Sequence, residues 1–293
     1  MFTCKKLKST NINIFRGLNS ERTTFNYLNE DFFYLYDKIN PIDKLMMMKK
    51  VILLQHRESL DYVGYIWTYK LNKYNHKIRA LNIIKEYKYE IEAYSGLLNC
   101  AFKENSSVNY VCSKNSYNFY ILSSLGFERY NGTLEMKKHI NSLVYLEGPR
   151  ELEVCSLYGE EGDNLRCQIQ NSVFESNNRI PLTMDDIIFE KKQKYYYENG
   201  CFLLKSMDEY IGYGQVIFEE DNIPCIVNFG IIPKYRGKGY SRYFLNYILN
   251  SVYEANYSMA RIRVSSENKI ALNLYSSMGF YVEDEIYKWQ FIK

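Results

Sequence analysis

Between Ile231 and Ser241 the chain reads IIPKYRGKGYS. An apolar run ends there, a short loop carries Arg236, Gly237, Lys238 and Gly239, and the spacing beyond predicts a helix from Tyr240. Glycines let backbone N–H groups approach an anion without a Cβ in the way, and a helix start adds its partial positive charge. Arg236 and Lys238 add full charges, so a diphosphate is the natural guest. The loop is not a Walker A motif, nor G-x-G-x-x-G followed by an acidic ribose-binding residue. Taken alone, it reads equally well as a solvated turn rich in Gly and Lys.

Some thirty residues on lies Asn268-x-x-Ala271-x-x-Leu274-Tyr275-x-x-x-Gly279-Phe280. In structural terms Asn268 is a helix N-cap, Gly279 a helix stop, and Tyr275 one tyrosine among 30. The elements that must position these residues can be read around them. The near-continuous apolar run 225–232 predicts a strand buried on both faces. Phe244, Ile248 and Val252, spaced by four, predict a helix over 240–253. A strand over 260–264, a helix over 268–278 and a closing strand over 280–292 follow. Upstream, strands are predicted over 152–157, 201–205 and 211–218, with helices over 164–176 and 184–194. This order is that of an α/β fold whose helices cover a central mixed sheet.

The 293 residues are many for one compact domain and suit two small ones. Apolar residues at 46% and charged residues at 24% exclude disorder and fibrous architectures. No run approaches the roughly 18 apolar residues of a spanning helix. Lys5, Lys6 and Lys8 precede no apolar core, so no signal peptide is expected. A net charge of +3, with no dense interleaving of basic and aromatic residues, argues against nucleic acid and membrane as partners. The seven cysteines are Cys4, Cys100, Cys112, Cys155, Cys167, Cys201 and Cys225. An odd count, wide spacing and no C-x-x-C predict reduced thiols in a cytoplasmic protein, without a disulfide framework or metal site. The histidines, His56, His76 and His139, all lie in the first half, so chemistry in the second half proceeds without imidazole.

The chain repeats itself. VCSKNSYNFYILSSLGF at 111–127 aligns without a gap to VSSENKIALNLYSSMGF at 264–280, with 7 of 17 positions identical. DYVGY at 61–65 matches EYIGY at 209–213, and Ile83, Ile84 and Tyr87 match Ile231, Ile232 and Tyr235. Two collinear blocks make duplication the better reading. With Gly148 and Pro149 marking a break between His139 and Glu151, the expected domains are 1–145 and 150–293.

The two motifs together resemble the GNAT superfamily of acyl-CoA-dependent N-acyltransferases, over residues 151–293. The family's first motif, [Q/R]-x-x-G-x-[G/A] after a strand, stands here as Arg236-Gly-Lys-Gly239-Tyr-Ser241, with Ser241 in place of the preferred Gly or Ala. Its second motif, N-x-x-A-x-x-L-Y-x-x-x-G-F, is present throughout. The resemblance implies tandem GNAT-like domains, each a mixed, mostly antiparallel sheet flanked by helices. It implies acetyl-CoA as donor, and a primary amine of a small molecule or peptide as acceptor. Backbone groups of Phe229, Gly230, Ile231 and Ile232 would line the pantetheine arm and the thioester. Arg236, Gly237, Lys238, Gly239, Tyr240 and Ser241 would hold the diphosphate. Asn268 would reach the cofactor or an ordered water, and Tyr275 would protonate the departing thiolate.

No base for the amine stands out. Asn228 lies where some relatives carry a carboxylate, and Glu209, Glu219 and Glu220 are ionisable groups near strand ends. A CoA-binding sensor or scaffold without turnover is the alternative class. At the repeat's offset the loop residues correspond to Lys88, Tyr89, Glu90 and Ile91, and Tyr275 corresponds to Leu122. The first half is therefore expected to be a degenerate copy without a cofactor site, and the protein a monomer or homodimer.

Overall fold

A computed structural model of the chain describes residues 1–146, 148–156, 159–175 and 179–293. The chain forms two compact units. The first is Met1–Thr133 with Asp284–Lys293, and the second is Leu134–Glu283.

The first unit runs β1 (Phe2–Lys6), α1 (Ile12–Ser20), α2 (Phe32–Tyr36), α3 (Pro41–Met48), β2 (Val51–His56), β3 (Tyr62–Lys70) and β4 (Asn75–Ile83). It continues through α4 (Ile91–Ala101), β5 (Ser107–Ser113), α5 (Asn118–Ser124) and the start of β6 (Glu128–His139). Neighbouring strands pair antiparallel from β1 to β4, and β4 pairs parallel with β5. The end of the chain closes the sheet, with Ile286–Ile292 antiparallel to β5.

The second unit takes the rest of β6, then β7 (Leu152–Ser156), α6 (Gly159–Val173), α7 (Met184–Lys191), β8 (Tyr196–Ser206), β9 (Glu209–Phe218) and β10 (Pro224–Ile231). It ends with α8 (Tyr240–Glu254), β11 (Met259–Ser265), α9 (Lys269–Ser277) and the start of β12 (Tyr281–Ile292). Its strand order is β6-β11-β10-β9-β8-β7, antiparallel from β7 to β10 and parallel between β10 and β11. The stripe read from the sequence buries Phe244, Ile248 and Val252 of α8 against Ile226 of β10 and Ile262 of β11. On the opposite face Leu165 and Ile169 of α6 cover Cys201, Leu203 and Tyr213. Each unit thus follows one plan, in which strand, 3-10 turn, helix, parallel strand, helix and strand succeed one another. Gly126 and Gly279 end the last helix of the two copies with φ of 84° and 83°, the left-handed stop that glycine alone makes without strain.

Three expectations need correction. The chain does not break between 139 and 151. Met136 and Ile140 are buried in the second unit's core, and the Ile140 N–H bonds Ser258 O at 2.8 Å. The end of β12 returns to the first unit instead, where Trp289 is buried in its core. The thiols are not all free: Cys4 of β1 and Cys100 of α4 are disulfide-bonded across a Cα–Cα distance of 6.6 Å. Their separation of 96 residues gave no local signal. Finally, β8 starts at Tyr196, because Tyr196 pairs with Ile217 across an irregularity before Cys201. Residues 157 and 176 of the expected strand and helix lie outside the described residues. Among the described residues, no helix is long and apolar enough to cross a membrane.

Candidate active site

Strands β10 and β11 pair only at Cys225↔Arg261 and Ile226↔Ile262. Past Ile226 they part, and a pocket of about 190 Å3 opens, lined by Asn228, Phe229, Arg263, Val264, Asn268 and Tyr275 among others. The cause is local. Register against β9 shifts between Val227 and Gly230, and Asn228 takes a φ of 50°, a bulge that bends β10 away from its parallel neighbour. Beyond it the Ile232 N–H bonds Ile211 O of β9 at 2.8 Å. Alternation along the regular part of the strand therefore turns the Ile231 N–H toward the β11 side, while Phe229, inside the bulge, lines the opening. Gly230 has a packing reason: a Cβ there would overlap Val173 of α6.

The loop Arg236–Gly239 joins β10 to α8. Gly237 and Gly239 have φ of 80° and 81°, and the space a Cβ would occupy is empty at both. Their requirement is conformational, and it leaves the N-terminus of α8 open to an approaching group. The first N–H groups of a helix have no intrahelical acceptor, so those after Gly239 form a ready anion cradle. Lys238 stands over the rings of Tyr235 and Tyr240, at 5.6 and 5.9 Å. Tyr240 is buried in the core, and its hydroxyl contacts Glu151 at 3.5 Å. Ser241 sits in the first turn of α8.

Arg236 differs from the sequence expectation. Its guanidinium donates to Ile231 O and to Val173 O, both at 2.8 Å. It ties the loop to the ends of β10 and α6 rather than presenting a free charge. Ile232 is likewise engaged, through its N–H to Ile211 and its carbonyl to Tyr235 N.

Tyr275 of α9 is 5% exposed, with its ring 6.4 Å from that of Phe229 and 5.9 Å from that of Phe280. No hydrogen bond joins its hydroxyl to another described residue, and the residue lines the pocket. Burial pushes its pKa up to about 12. Asn268 caps α9, its Oδ1 accepting from Ala271 N at 3.1 Å, and it also lines the pocket.

The carboxylates considered as bases are committed elsewhere. Glu209 is held below its ordinary pKa by Lys234 and Tyr235. Glu219 is held low by Arg263, which it bonds through both oxygens at 2.6 Å, and by Arg261. Glu220 is exposed in the β9–β10 turn.

A buried polar group behind the bulge escaped the sequence reading. Arg166 of α6 is 1% exposed and Gln215 of β9 is fully buried. Arg166 bonds Glu190 of α7, and bonds Gln215 Oε1 at 3.3 Å. Gln215 Nε2 donates to Glu190 Oε1 at 2.7 Å, while its Oε1 accepts from Tyr213 OH and from Asn228 Nδ2, each at 3.2 Å. One signal was available: Gln215 is a lone amide inside the apolar strand IGYGQVIF.

The first unit has the corresponding opening, and the chain itself fills it. Strands β4 and β5 pair only from Asn75↔Ser107 to Lys77↔Asn109. Beyond, Asn29 exchanges hydrogen bonds with Leu81 of β4, at 2.9 and 3.3 Å. Asn26 reaches Val111 O and Ser113 N of β5, at 2.8 and 3.2 Å. Phe25 is buried with Tyr94 of α4 and Tyr117. Helix α4 begins after Glu90, without the left-handed glycines of the second unit.

Known proteins share this fold. A GCN5-related N-acetyltransferase from Sphaerobacter thermophilus superposes with a TM-score of 0.58 at 10% identity, over 99% of this chain and 95% of that one. A GNAT-family acetyltransferase from Colwellia psychrerythraea gives 0.51 at 12% identity, over 99% of each chain. At such identities the likeness concerns the fold. No curated protein matches the chain significantly in sequence. Residues 169–280, which hold the parted strands, the glycine loop and Tyr275, match the acetyltransferase (GNAT) family model. The second unit of the chain therefore carries the match to the acetyltransferase (GNAT) family, over residues 169–280.

Proposed function

We propose that the second unit transfers an acetyl group from acetyl-CoA to a primary amine of a small molecule or peptide. The observation that carries this reading is the opening between β10 and β11 with Tyr275 on its wall, together with the uncapped start of α8 in the chain beyond β10. These features fit an acyl-CoA. A diphosphate would sit on the N–H groups of Gly237, Lys238, Gly239, Tyr240 and Ser241, beside the Lys238 ammonium. A pantetheine arm would lie along Phe229, Gly230 and Ile231. Arg236 and Ile232 would support the loop and strand, and Asn268 would fix the start of α9.

Bound there, the donor supplies an acyl group activated as a thioester. The amine attacks its carbonyl carbon, the C–S bond breaks, and the amine's proton leaves to solvent. The Phe229 N–H would stabilise the charge growing on the carbonyl oxygen. Tyr275 would hold a proton toward the departing sulfur. A CoA-binding protein without turnover is favoured by one observation, that Glu209 and Glu219 are held ionised in ion pairs.

A screen of amines with acetyl-CoA, reading released thiol, tests the proposal. Thiol release that depends on both acetyl-CoA and an amine supports it. Acetyl-CoA binding by calorimetry with no turnover across amine classes would favour the sensor, and no binding would remove both readings.

A further inference from the structure

We propose that Gln215 is a positioning residue, which sets the bulge at Asn228 and thereby aims the Phe229 N–H at the acyl group. This inference rests on the acetyl-transfer reading and assigns a determinant within that site.

Asn228 has a left-handed backbone in the middle of a strand, a conformation that costs a non-glycine residue free energy and persists when its surroundings enforce it. A side-chain bond holds it: its Nδ2 donates to Gln215 Oε1 at 3.2 Å. Gln215 cannot turn to release it. Its Nε2 is bonded to Glu190 Oε1, and its Oε1 also accepts from Arg166 and Tyr213 OH. Arg166 and Glu190, which bond each other, come from α6 and α7. Gln215 therefore joins three elements to one residue of β10. That residue lies next to Phe229, which lines the opening.

The composition of the group points to position rather than to stability. Taking Arg166 to 1% exposure requires desolvating a full charge, and its Nη1 finds no hydrogen-bond partner among the described residues. Apolar residues of the same volume commonly stabilise as well or better at such a place. Fixed directions are what a bonded amide and guanidinium add to a core that oily side chains would fill.

The test uses the whole chain with CoA, and with acetyl-CoA carrying 13C at the thioester carbonyl. Gln215→Leu removes the anchor. Asn228→Gly keeps the left-handed backbone accessible while removing the bonded amide, so it serves if the first variant folds poorly. In the unaltered chain the carbonyl resonance should move downfield on binding. In each variant it should return toward the free position, with acetyl-CoA affinity falling about tenfold relative to CoA, the worth of one hydrogen bond. The double variant should show no further change, since one residue acts through the other. An unchanged resonance and affinity ratio in both variants, with only Tm lowered, would overturn the proposal and leave a structural cluster. Failure of the unaltered chain to bind either molecule would instead remove the acetyl-transfer reading, and this inference with it.

Discussion

Arg236 donates to the carbonyl of Val173 at 2.8 Å, across 63 residues of sequence. With its second bond to Ile231 O, the guanidinium is a strut between the glycine loop, β10 and α6. Lysine cannot span both carbonyls, since it lacks the planar fork. Arg236→Lys should therefore lower Tm by a few degrees, for about 1 kcal/mol of lost hydrogen bonding, and weaken CoA binding by loosening the loop. Lys238→Ala should weaken CoA binding without lowering Tm, and its effect should shrink as salt is raised. Calorimetry and thermal unfolding at two ionic strengths separate the two roles. Equal Tm losses would contradict them.

Gly239→Ala tests the backbone separately from the space around it. No atom stands where the Cβ would go, yet φ is 81°. The left-handed conformation costs a non-glycine residue roughly 1–2 kcal/mol. Tm should fall accordingly, and CoA should bind more weakly as the helix start shifts. Gly239→Glu adds a negative charge at the cradle and should abolish CoA binding in calorimetry.

What the sequence disclosed of this site follows from range. Gly237, Gly239 and Gly279 announce their left-handed backbones by being glycine, and the stripe on α8 announces its buried face by its spacing. Strands β10 and β11 were each legible through their apolar runs. The Arg236 bond to Val173, the Gln215 group and the segment carrying Asn26 and Asn29 were not. Each joins elements far apart in sequence, and its residues look like ordinary polar positions until the fold brings them together. The exchange of β12 into the first unit was hidden for a like reason, because its alternating pattern fits the edge of either sheet.

The second unit should lose stability in acid in a way traceable to Glu219. Hydrogen bonding to Arg263 holds its carboxyl below the ordinary 4.5, and Arg261 adds to the effect. A depressed folded-state pKa means stabilisation that is complete above about pH 4.5 and is lost as pH falls through the folded value. Glu219→Gln should thus lower Tm at pH 7, with the difference from the unaltered chain closing below about pH 4. Thermal unfolding from pH 7 to pH 3 checks this. A constant gap across the range would show that the loss is packing rather than charge.

The filled opening of the first unit predicts one CoA per chain. Asn29→Ala should not create a second site, because Asn26 and Phe25 still occupy the opening. It should lower Tm, since the Leu81 N–H and carbonyl lose their partner inside a buried region, at a cost of about 1–3 kcal/mol. Glu90→Gln should leave CoA affinity unchanged. Calorimetry giving two sites in the unaltered chain would overturn the assignment of this unit as self-filled.

Tyr275 offers the most chemical test. Burial pushes its phenol to about 12, whereas a free thiol ionises near 8.5. Complete proton transfer to a relaxed thiolate would thus run uphill by roughly 5 kcal/mol. Tyr275 is better suited to donate a hydrogen bond while the C–S bond stretches, and to release the proton only as the thiolate is at its most basic. Tyr275→Phe keeps the ring beside Phe229 and removes the hydroxyl, which no other described residue uses. It should lower kcat by about 10² to 10⁴ and leave the CoA dissociation constant nearly unchanged. The pH profile gives an independent reading. A phenol that ionises near 12 stays protonated through the working range, so kcat should show no basic limb from Tyr275 below about pH 11. A basic limb near pH 9 that vanished in Tyr275→Phe would mean the phenol is far more acidic than its burial dictates. A variant retaining over half of kcat, with chemistry rate-limiting, would pass the proton to another group or to water. Loss of CoA binding instead would make Tyr275 a packing residue of the pocket wall.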